Sequence, residues 1–404
     1  MIYQIAQLAD IIDGDRGKNY PKQNEFSHEG YCLFLNAGNV TPDGFSFEEN
    51  SFITQEKDDL LRKGKLQRGD IVYTTRGTVG NAAFYSEAVP FDNIRINSGM
   101  VILRCNEDIV DKRYLYHILK SEHFRPYFKK YCTGSAQPQL PIMNFSKIEL
   151  NIPEIQTQRR IADILSAYDD LIENNRKQIK LLEEAAQRLY KEWFVDLRFP
   201  GHEHTKIVDG VPEGWERSTV SNVSSVLRRG ISPKYNDQAD LMVINQKCIR
   251  QTVVTFDEAR KQEKPFPEEM NVQDCDTVIC STGAGTLGRV GQVFGNYPKT
   301  TFDSHITLVR AKPDFGAQYL FHFLKSHQAY LMGMGKGSTN QLELSRGTIQ
   351  NMEILIPVKE IRTKFEVFTQ LIHAQIDVIN TEMEHLQNAR DHLLPMLMSA
   401  KLEE

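Results

Sequence analysis

The chain has 404 residues, of which 40% are hydrophobic and 25% charged, and this is the composition of an ordinary soluble globular protein with room for two or three domains. It has neither the pattern of a secretory signal nor an apolar run of about 18 residues, so the sequence predicts a cytoplasmic protein that does not cross a membrane. The formal net charge of −5 does not by itself indicate nucleic-acid binding, which would have to come from local basic clusters or from a partner.

The first half of the chain is repeated in the second. "GDIVYTTRGTVGNAAF" (69–84) corresponds to "CDTVICSTGAGTLGRVGQVF" (275–294), and "YLYHILKS" (114–121) corresponds to "YLFHFLKS" (319–326). "IELNIP" (148–153) likewise corresponds to "MEILIP" (352–357), and the offset stays close to two hundred residues. The chain is therefore a duplicated unit, in which a domain is followed by a helix in each copy.

Each domain combines short β-branched runs, separated by Gly, Asn and Asp turns, with one amphipathic helix at 112–120 or 317–325. This pattern predicts an α+β fold with two similar domains. We expect the first domain at 1–152, the first spacer helix at 153–198, a linker at 199–214, the second domain at 215–356 and the second spacer helix at 357–404.

The first spacer helix begins after Pro153 and carries an apolar heptad seam, which is typical of a helix that packs against another helix. Asn175 lies in this seam, where it either fixes the register or points to solvent. The seam residues that we expect to bind a partner helix are Ile161, Leu165, Tyr168, Ile172, Ile179, Leu182, Leu189 and Trp193.

The second domain contains a literal G-x-G-x-x-G, formed by Gly283, Gly285 and Gly288. A dinucleotide site needs a helix after these glycines, but the following "RVGQVF" has the residues of a strand. The sequence therefore predicts a strand-turn-strand connection here. The six scattered cysteines have no zinc-binding spacing, so we expect free thiols and no metal site. No catalytic motif is found either.

The second spacer helix begins after Pro357 and has a less regular seam. Arg390 falls where an apolar residue is due, and Pro395 is expected to kink or end the helix. The two spacer helices most simply pair as an antiparallel coiled coil, although each seam could instead serve a different partner chain. The expected partner-binding residues of this helix are Ile372, Ile379 and Leu386.

Basic and amide residues gather in the connecting segments of both domains. Arginine reaches guanine O6 and N7, Asn and Gln reach adenine N6 and N7, and lysine neutralises phosphates, so these residues form a candidate DNA-binding set. Its members are Arg16, Lys18, Lys22, Arg76, Arg95, Lys129, Lys130, Gln137 and Gln139 in the first domain and Arg228, Arg229, Lys234, Arg250, Arg289, Lys336, Asn340 and Gln341 in the second.

The order of segments "GSAQPQL…IELNIPEIQTQRRIADILSAYDDLIENNRKQIKLLEEAAQRLYKEWFVDLRFPG" resembles the central region of the DNA-specificity subunit of type I restriction-modification systems. The second round, "GSTNQLEL…MEILIP" plus a helix, resembles it too, so the resemblance covers essentially the whole chain. The second copy departs from the pattern, because "VKEIRTKFEVFTQL" lacks the Gln and the Arg-Arg-Ile-Ala run of the first.

The resemblance implies a non-catalytic subunit in which each domain reads one half of a split, asymmetric site in double-stranded DNA. It also implies helices that set the spacing and dock two adenine-N6 methyltransferase subunits, and two motor/nuclease subunits that join for restriction. S-adenosylmethionine, ATP and Mg²⁺ would then belong to those partners, and this chain would hold no cofactor. The alternative is a coiled-coil scaffold whose duplicated domains bind protein and have no DNA specificity. A degenerate methyltransferase is disfavoured, because "SPKY" (232–235) has lysine for the second proline of the [ND]-P-P-[YF] signature.

Overall fold

The computed structural model describes residues 1–47, 49–121, 124–134, 138–249, 252–283, 285–335 and 342–399. The chain folds into two compact units, Met1–Asn174 with Met383–Glu404 and Asn175–Glu382. Both units contain sheets and helices, which confirms the predicted α+β class with two similar domains. No helix in these ranges is long and apolar enough to cross a membrane.

The first unit is built on a four-stranded antiparallel sheet and a three-stranded sheet. Its strands are β1 (Ile2–Gln4), β2 (Ala9–Asp13), β3 (Cys32–Leu35), β4 (Val40–Thr41), β5 (Gly44–Phe45), β6 (Phe52–Ile53), β7 (Ile71–Thr74), β8 (Ala82–Phe84), β9 (Ile94–Ile96), β10 (Met100–Cys105) and β11 (Glu149–Asn151). Its helices are α1 (Ile5–Leu8), α2 (Gln55–Leu60), α3 (Lys112–Lys120), α4 (Arg125–Tyr131), α5 (Ile142–Phe145) and the first part of α6 (Ile155–Tyr190). The sheet orders are β2-β10-β7-β8 and β6-β3-β9, and β1 pairs with β11.

The second unit repeats this arrangement. Its strands are β12 (Ile207–Val208), β13 (Val211–Pro212), β14 (Glu216–Thr219), β15 (Ser224–Arg229), β16 (Leu241–Ile244), β17 (Arg260–Gln262), β18 (Thr277–Cys280), β19 (Val290–Gln292), β20 (Thr300–Phe302), β21 (Ile306–Ala311) and β22 (Glu353–Ile356). Its helices are α7 (Val220–Val223), α8 (Ala317–Ser326), α9 (Gln328–Gly333), α10 (Arg346–Gln350) and most of α11 (Lys359–Ser399). The sheet orders are β15-β21-β18-β19 and β17-β16-β20, and β14 pairs with β22.

The two main sheets and the closing strand pair correspond in the two units, whereas β4–β5 of the first unit and β12–β13 of the second lie at different places in the strand order. The parallel pair β3–β9 has its counterpart in the parallel pair β16–β20, and the other partners in these sheets are antiparallel in both units. A buried ion pair is repeated as well: Arg104 bonds Asp70 in the first unit, and Arg310 bonds Asp276 in the second. The sequence repeat is therefore a repeat of the fold.

The glycine-rich segment of the second unit is a turn between two strands. β18 and β19 pair antiparallel, and they flank Gly283, Gly285 and Gly288, whose φ angles are 102°, 79° and 77°. These positive φ values suit glycine, which has no Cβ to clash in the left-handed region. The predicted strand-turn-strand connection is confirmed.

The long helices run antiparallel to each other within each unit. In the first unit, Ile161 and Leu165 of α6 share a core with Leu394 of α11. In the second unit, Trp193, which follows α6 in a π-helical turn (Lys191–Val195), packs on Phe365 near the start of α11. The predicted antiparallel pairing is confirmed. The helices do not form bodies of their own, however, since each contributes to both units.

The seam residues expected to bind a partner helix are buried or half-buried in this chain, and their binding to a partner chain stays a prediction. Six of their side chains are buried in the packing of this chain, and five are partly exposed. Ile161, Leu165, Ile172, Ile179, Trp193 and Ile379 are buried, and Tyr168, Leu182, Leu189, Ile372 and Leu386 are half-buried.

The structure shows what becomes of the two polar residues and the proline that interrupt the apolar seams. Asn175 is only 7% exposed, so it does not point to solvent. Arg390 donates to Asp169 Oδ1 at 2.6 Å, and this ion pair explains a cation at an apolar position. Pro395 does not end α11, which continues to Ser399.

Candidate nucleic-acid interface

Three turns of the first unit meet at one edge of its sheets. The backbone N–H groups of Thr75 and Arg76 donate to the carbonyl of Gly99 at 2.8 and 3.1 Å, which joins the β7–β8 turn to the β9–β10 turn. Arg76 also forms an isolated antiparallel bridge with Gln139. Arg16 Nη2 donates to the Ser98 carbonyl at 3.3 Å. Exposed Arg16, Arg76 and Gln139 therefore lie on one surface, which we call the first turn edge.

Residues within and beside the β7–β8 turn fix its conformation. Thr74 closes the β7–β8 turn, because its hydroxyl donates to the Thr78 carbonyl and accepts from Asn81 N–H at 2.9 Å. A Cβ on Gly80 would lie 2.9 Å from the ring of Phe128 in α4, so only glycine lets the helix support the turn this closely. The first turn edge is thus carried on a rigid frame.

The second unit has the same frame with different side chains. Ser281 N–H donates to the His305 carbonyl at 2.7 Å, and Thr282 forms the isolated bridge with Glu343 that corresponds to the bridge of Arg76 with Gln139. Arg229 Nη1 donates to the Ser304 carbonyl at 3.0 Å, as Arg16 does to Ser98. We call Arg229, Thr282, His305 and Glu343 the second turn edge.

The two edges differ in charge and in hydrogen-bonding groups. Both edge arginines are ion-paired: Arg229 Nη2 lies 2.9 Å from Glu343 Oε1, and Arg16 Nη2 lies 3.1 Å from Asp13 Oδ2. The Arg229 side chain is 24% exposed, compared with 46% for Arg16. Thr282 Oγ1 and His305 Nδ1 lie 2.6 Å apart and are hydrogen-bonded. The first edge therefore offers guanidinium and amide groups, whereas the second offers hydroxyl, imidazole and carboxylate groups.

Arg95 was predicted to bind DNA, but the structure places it in the core. It is 5% exposed, and its Nη2 donates to the carbonyls of Asp58 and Leu61 at 2.9 and 3.0 Å, while its Nε bonds the Asp58 carboxylate. Burial alone would raise the pKa of Asp58, but the hydrogen bonds from Lys65 and Arg95 lower it overall. Arg95 stabilises the fold, and the prediction that it binds DNA is wrong because its donors are all directed inward.

Comparison with known proteins decides the family. The family model described as "Type I restriction modification DNA specificity domain" matches the chain twice, at residues 2–184 and 212–388. The chain belongs to this family. The resemblance seen in the sequence is therefore confirmed, and the chain is a type I restriction-modification specificity subunit.

Curated relatives match the chain over nearly its whole length. The "Type I restriction enzyme HindI specificity subunit" of Haemophilus influenzae is 25% identical over 96% of this chain and 98% of its own length. The "Type I restriction enzyme MjaIX specificity subunit" of Methanocaldococcus jannaschii is also 25% identical, over 90% of this chain and 86% of its own. Among solved structures, the type I restriction-modification system S subunit from M. genitalium has the same fold, with a TM-score of 0.53 and 16% identity over 99% of this chain and 96% of that one.

Other predicted DNA-binding residues of the specificity subunit lie apart from the turn edges, are already paired or are half-buried. Lys18, Lys22 and Lys130 are exposed, but no contact among the described residues links them to the first turn edge. Arg228 bonds Glu269 at 2.7 Å, Lys234 bonds Glu263, and Arg289 is half-buried in the β18–β19 turn. Five further predicted residues lie outside the described ranges, as does the side chain of Lys129: Gln137, Arg250, Lys336, Asn340 and Gln341.

Sequence reasoning missed three members of the second turn edge. Thr282 could have been found, because the repeat aligns it with Arg76. His305 and Glu343 gave no signal, since they reach Thr282 only through the sheet and the bridge of the folded domain. A search for basic residues alone therefore finds the first edge and overlooks most of the second.

Proposed function

We propose that this specificity subunit reads a split, asymmetric DNA site, with each turn edge contacting one half. The observation that carries the proposal is the repeated frame with unlike side chains: Arg76 in one unit stands where Thr282 stands in the other. Two copies of one fold with different reading groups suit two unlike half-sites, whereas identical half-sites would require matching side chains.

The first turn edge has the chemistry for direct reading of purines. An arginine such as Arg76 can donate twice to guanine O6 and N7, and Gln139 can pair with adenine N6 and N7. Arg16, on the same edge, is suited to a phosphate contact that fixes the position of the domain on the duplex. The first half-site is therefore expected to contain purines in the strand that this edge contacts.

The second turn edge offers different hydrogen-bonding groups to the bases. A carboxylate such as Glu343 accepts from cytosine N4, and Thr282 can donate to or accept from several base edges. Arg229 is paired with Glu343 in the free protein, so DNA binding must keep or exchange this ion pair. The second half-site is accordingly expected to differ from the first.

The long helices are proposed to set the gap between the half-sites. At about 1.5 Å per residue, the 36 residues of α6 extend for about 54 Å. This length is sufficient for half-sites on the same face of the DNA, which lie about 34–36 Å apart.

The helices are also proposed to dock two adenine-N6 methyltransferase subunits. Since the seam is used within the chain, the docking surface must be the exposed apolar side chains outside it. In the first unit these include Ile164 and Leu171 of α6, and in the second unit they include Leu181 of α6 and Val367, Leu371 and Val378 of α11. Large exposed apolar side chains on one helix are typical of protein interfaces.

In this proposal the chain is a non-catalytic subunit that binds double-stranded DNA and directs catalytic partners. The methyltransferase subunits bring S-adenosylmethionine, and two motor/nuclease subunits bring ATP and Mg²⁺. The assembled complex is then an adenine-N6 DNA methyltransferase and an ATP-dependent endonuclease. A scaffold without DNA specificity is the competing function, and it requires neither turn edge.

The decisive experiment is a map of N6-methyladenine in genomic DNA from cells with and without this chain. We expect loss of the chain to remove methylation at one split motif with a fixed gap.

Point variants test the two edges separately. Arg76→Ala should weaken discrimination at one base of one half-site only, by about 1–3 kcal/mol, and Thr282→Ala should change the other half-site only. Arg113→Ala, which removes an exposed arginine on α3, is the matched control and should leave the motif unchanged. An identical map with and without the chain would favour the scaffold.

A further inference from the structure

Three side chains with metal-binding atoms converge in the second unit. The ligand atoms of Asp274, Cys275 and His373 all lie within 4.8 Å of one another. Among the residues within the described ranges, this is the one cluster of three such groups. It lies outside the second turn edge and has no part in the proposed DNA reading.

Two separate elements hold the cluster together. Asp274 precedes β18, and its Oδ1 accepts from Gly295 N–H at 2.7 Å. His373 comes from α11, where its ring stacks on Phe294 with a centroid distance of 3.5 Å and an interplanar angle of 4°. Cys275 has a positive φ of 63°, which turns the backbone between Asp274 and the strand. A strained non-glycine backbone of this kind is often kept at functional positions.

The imidazole of His373 is oriented as in a metal ligand. Its Nδ1 lies 3.3 Å from Gln292 Oε1 and 3.1 Å from Gln318 Nε2. Its Nε2 is buried and faces Asp274 Oδ1 at 3.4 Å, but the two groups are not aligned for a good hydrogen bond. A histidine ligand usually donates its other ring N–H to a nearby acceptor, and in the tautomer with the proton on Nδ1 the acceptor is Gln292 Oε1.

We propose that Asp274, Cys275 and His373 bind a zinc ion. Thiolate, imidazole and carboxylate together are the donor set that zinc prefers, and three protein ligands leave a fourth position for water. The Asp274 side chain is 45% exposed, so solvent reaches the site. Tetrahedral zinc places its ligand atoms about 3.3–3.8 Å apart, and the ligand atoms of this cluster lie within 4.8 Å of one another.

Binding exchanges one proton for the metal. The Cys275 thiol loses H⁺ to solvent and its sulfur forms a bond to Zn²⁺, while Asp274 and His373 each donate an electron pair.

The zinc ion would link α11 to the segment before β18 within the second unit. The first unit has no counterpart, because Arg68 and Gly69 stand where the repeat aligns Asp274 and Cys275. Zinc binding is therefore expected to stabilise one of the two similar units.

The test uses the full chain, stripped of metal with a chelator and titrated with Co²⁺ and then with Zn²⁺. We expect one ion per chain, a thiolate-to-cobalt charge-transfer band, and a higher unfolding temperature with Zn²⁺. Cys275→Ser should abolish the band, whereas Cys132→Ser, which removes a half-buried thiol of the first unit, should preserve it. Gln292→Ala should weaken binding by about 10- to 100-fold, as expected for a residue that positions a ligand.

Asp274→Asn tests the site even if the cysteine variant folds poorly, because the amide oxygen can still accept from Gly295 N–H. We expect this variant to fold and to bind Zn²⁺ at least tenfold more weakly. The proposal is overturned if the native chain shows no thiolate band, or if Cys275→Ser keeps it. Equal Zn²⁺ affinity of the native chain and Asp274→Asn would also overturn it.

Discussion

At the scale of single residues, the glycine-rich turn between β18 and β19 makes a prediction that distinguishes two glycines. Both Gly285 and Gly288 have positive φ, but a Cβ on Gly288 would lie 2.6 Å from the Met332 backbone nitrogen, whereas nothing lies within 4 Å of one on Gly285. We expect Gly285→Ala to cost about 1–2 kcal/mol of unfolding free energy from the left-handed backbone. Gly288→Ala should cost about 1–3 kcal/mol more, from the steric clash. Urea unfolding measures both, and equal losses would mean that α9 does not restrain the turn.

Two equivalent histidines predict how stability depends on pH. Burial lowers the pKa of His117 to about 4 and that of His322 to about 3. In the unfolded chain these groups titrate near 6.5, so between that value and the folded pKa the unfolded state binds more protons. Stability should therefore fall as the pH decreases from 6.5 towards 4, by about 1.4 kcal/mol per pH unit for each histidine.

The matched variants for this prediction are His322→Leu and His204→Leu, since His204 is exposed. Chemical unfolding at several pH values should show a shallower slope for the first and an unchanged slope for the second. A native slope of zero across this window would contradict the assignment of neutral, buried imidazoles.

The sequence predicted which side chains are available at the candidate site only where the position of a side chain depends on its neighbours in sequence. Arg76 and Gln139 were found because they stand in turns, beside glycines or in the segment of the repeat. Arg95 was misjudged, because Asp58, its partner in the core, lies 37 residues away in sequence. Burial of a charge depends on such distant partners, which composition and spacing do not reveal.

At the scale of elements, periodicity predicted the two long helices and their antiparallel pairing, and the structure shows 36 and 41 residues in them. Periodicity did not show which surface each apolar seam packs against. A heptad repeat indicates only that a helix has a packing face. That the face meets the same chain follows from the core that Leu165 and Leu394 share. α11 remains helical through Pro395, against the intrinsic preference of proline.

The helices lead to a prediction about spacing. One heptad added after Asn174 of α6, with a matched heptad after Glu382 of α11, lengthens both helices at the boundary of the units by about 10.5 Å. At about 3.4 Å per base pair, the gap in the methylated motif should widen by about three base pairs, with both halves unchanged. A seven-residue insertion after Gly210, in the tight β12–β13 turn, is the control and should not change the gap. A changed half-site in the lengthened variant would show that the helices do more than set distance.

At the scale of the whole molecule, each domain is closed before its long helix begins. β1 pairs with β11 in the first unit, and β14 pairs with β22 in the second, so the start of each domain is joined to its end. The first domain is then attached to α6 by Gln158, which accepts from Asp111 N–H at 2.9 Å and donates to the Ile109 carbonyl at 3.1 Å. This organisation favours domains that can be exchanged as units, provided that the helix contact is retained.

We therefore expect that replacing residues 1–152 with the corresponding domain of another family member will change one half of the methylated motif only. The transplanted domain should supply a backbone N–H and a carbonyl that pair with Gln158. Otherwise the polar groups of the buried Gln158 amide would be left unpaired, at a cost of about 1–3 kcal/mol of folding free energy. Replacing residues 215–356 is the reciprocal control and should change the other half. Methylation maps of both chimaeras provide the measurement, and the gap should remain constant because α6 and α11 are untouched. Changes in both halves from a single exchange would mean that the two turn edges do not read DNA independently.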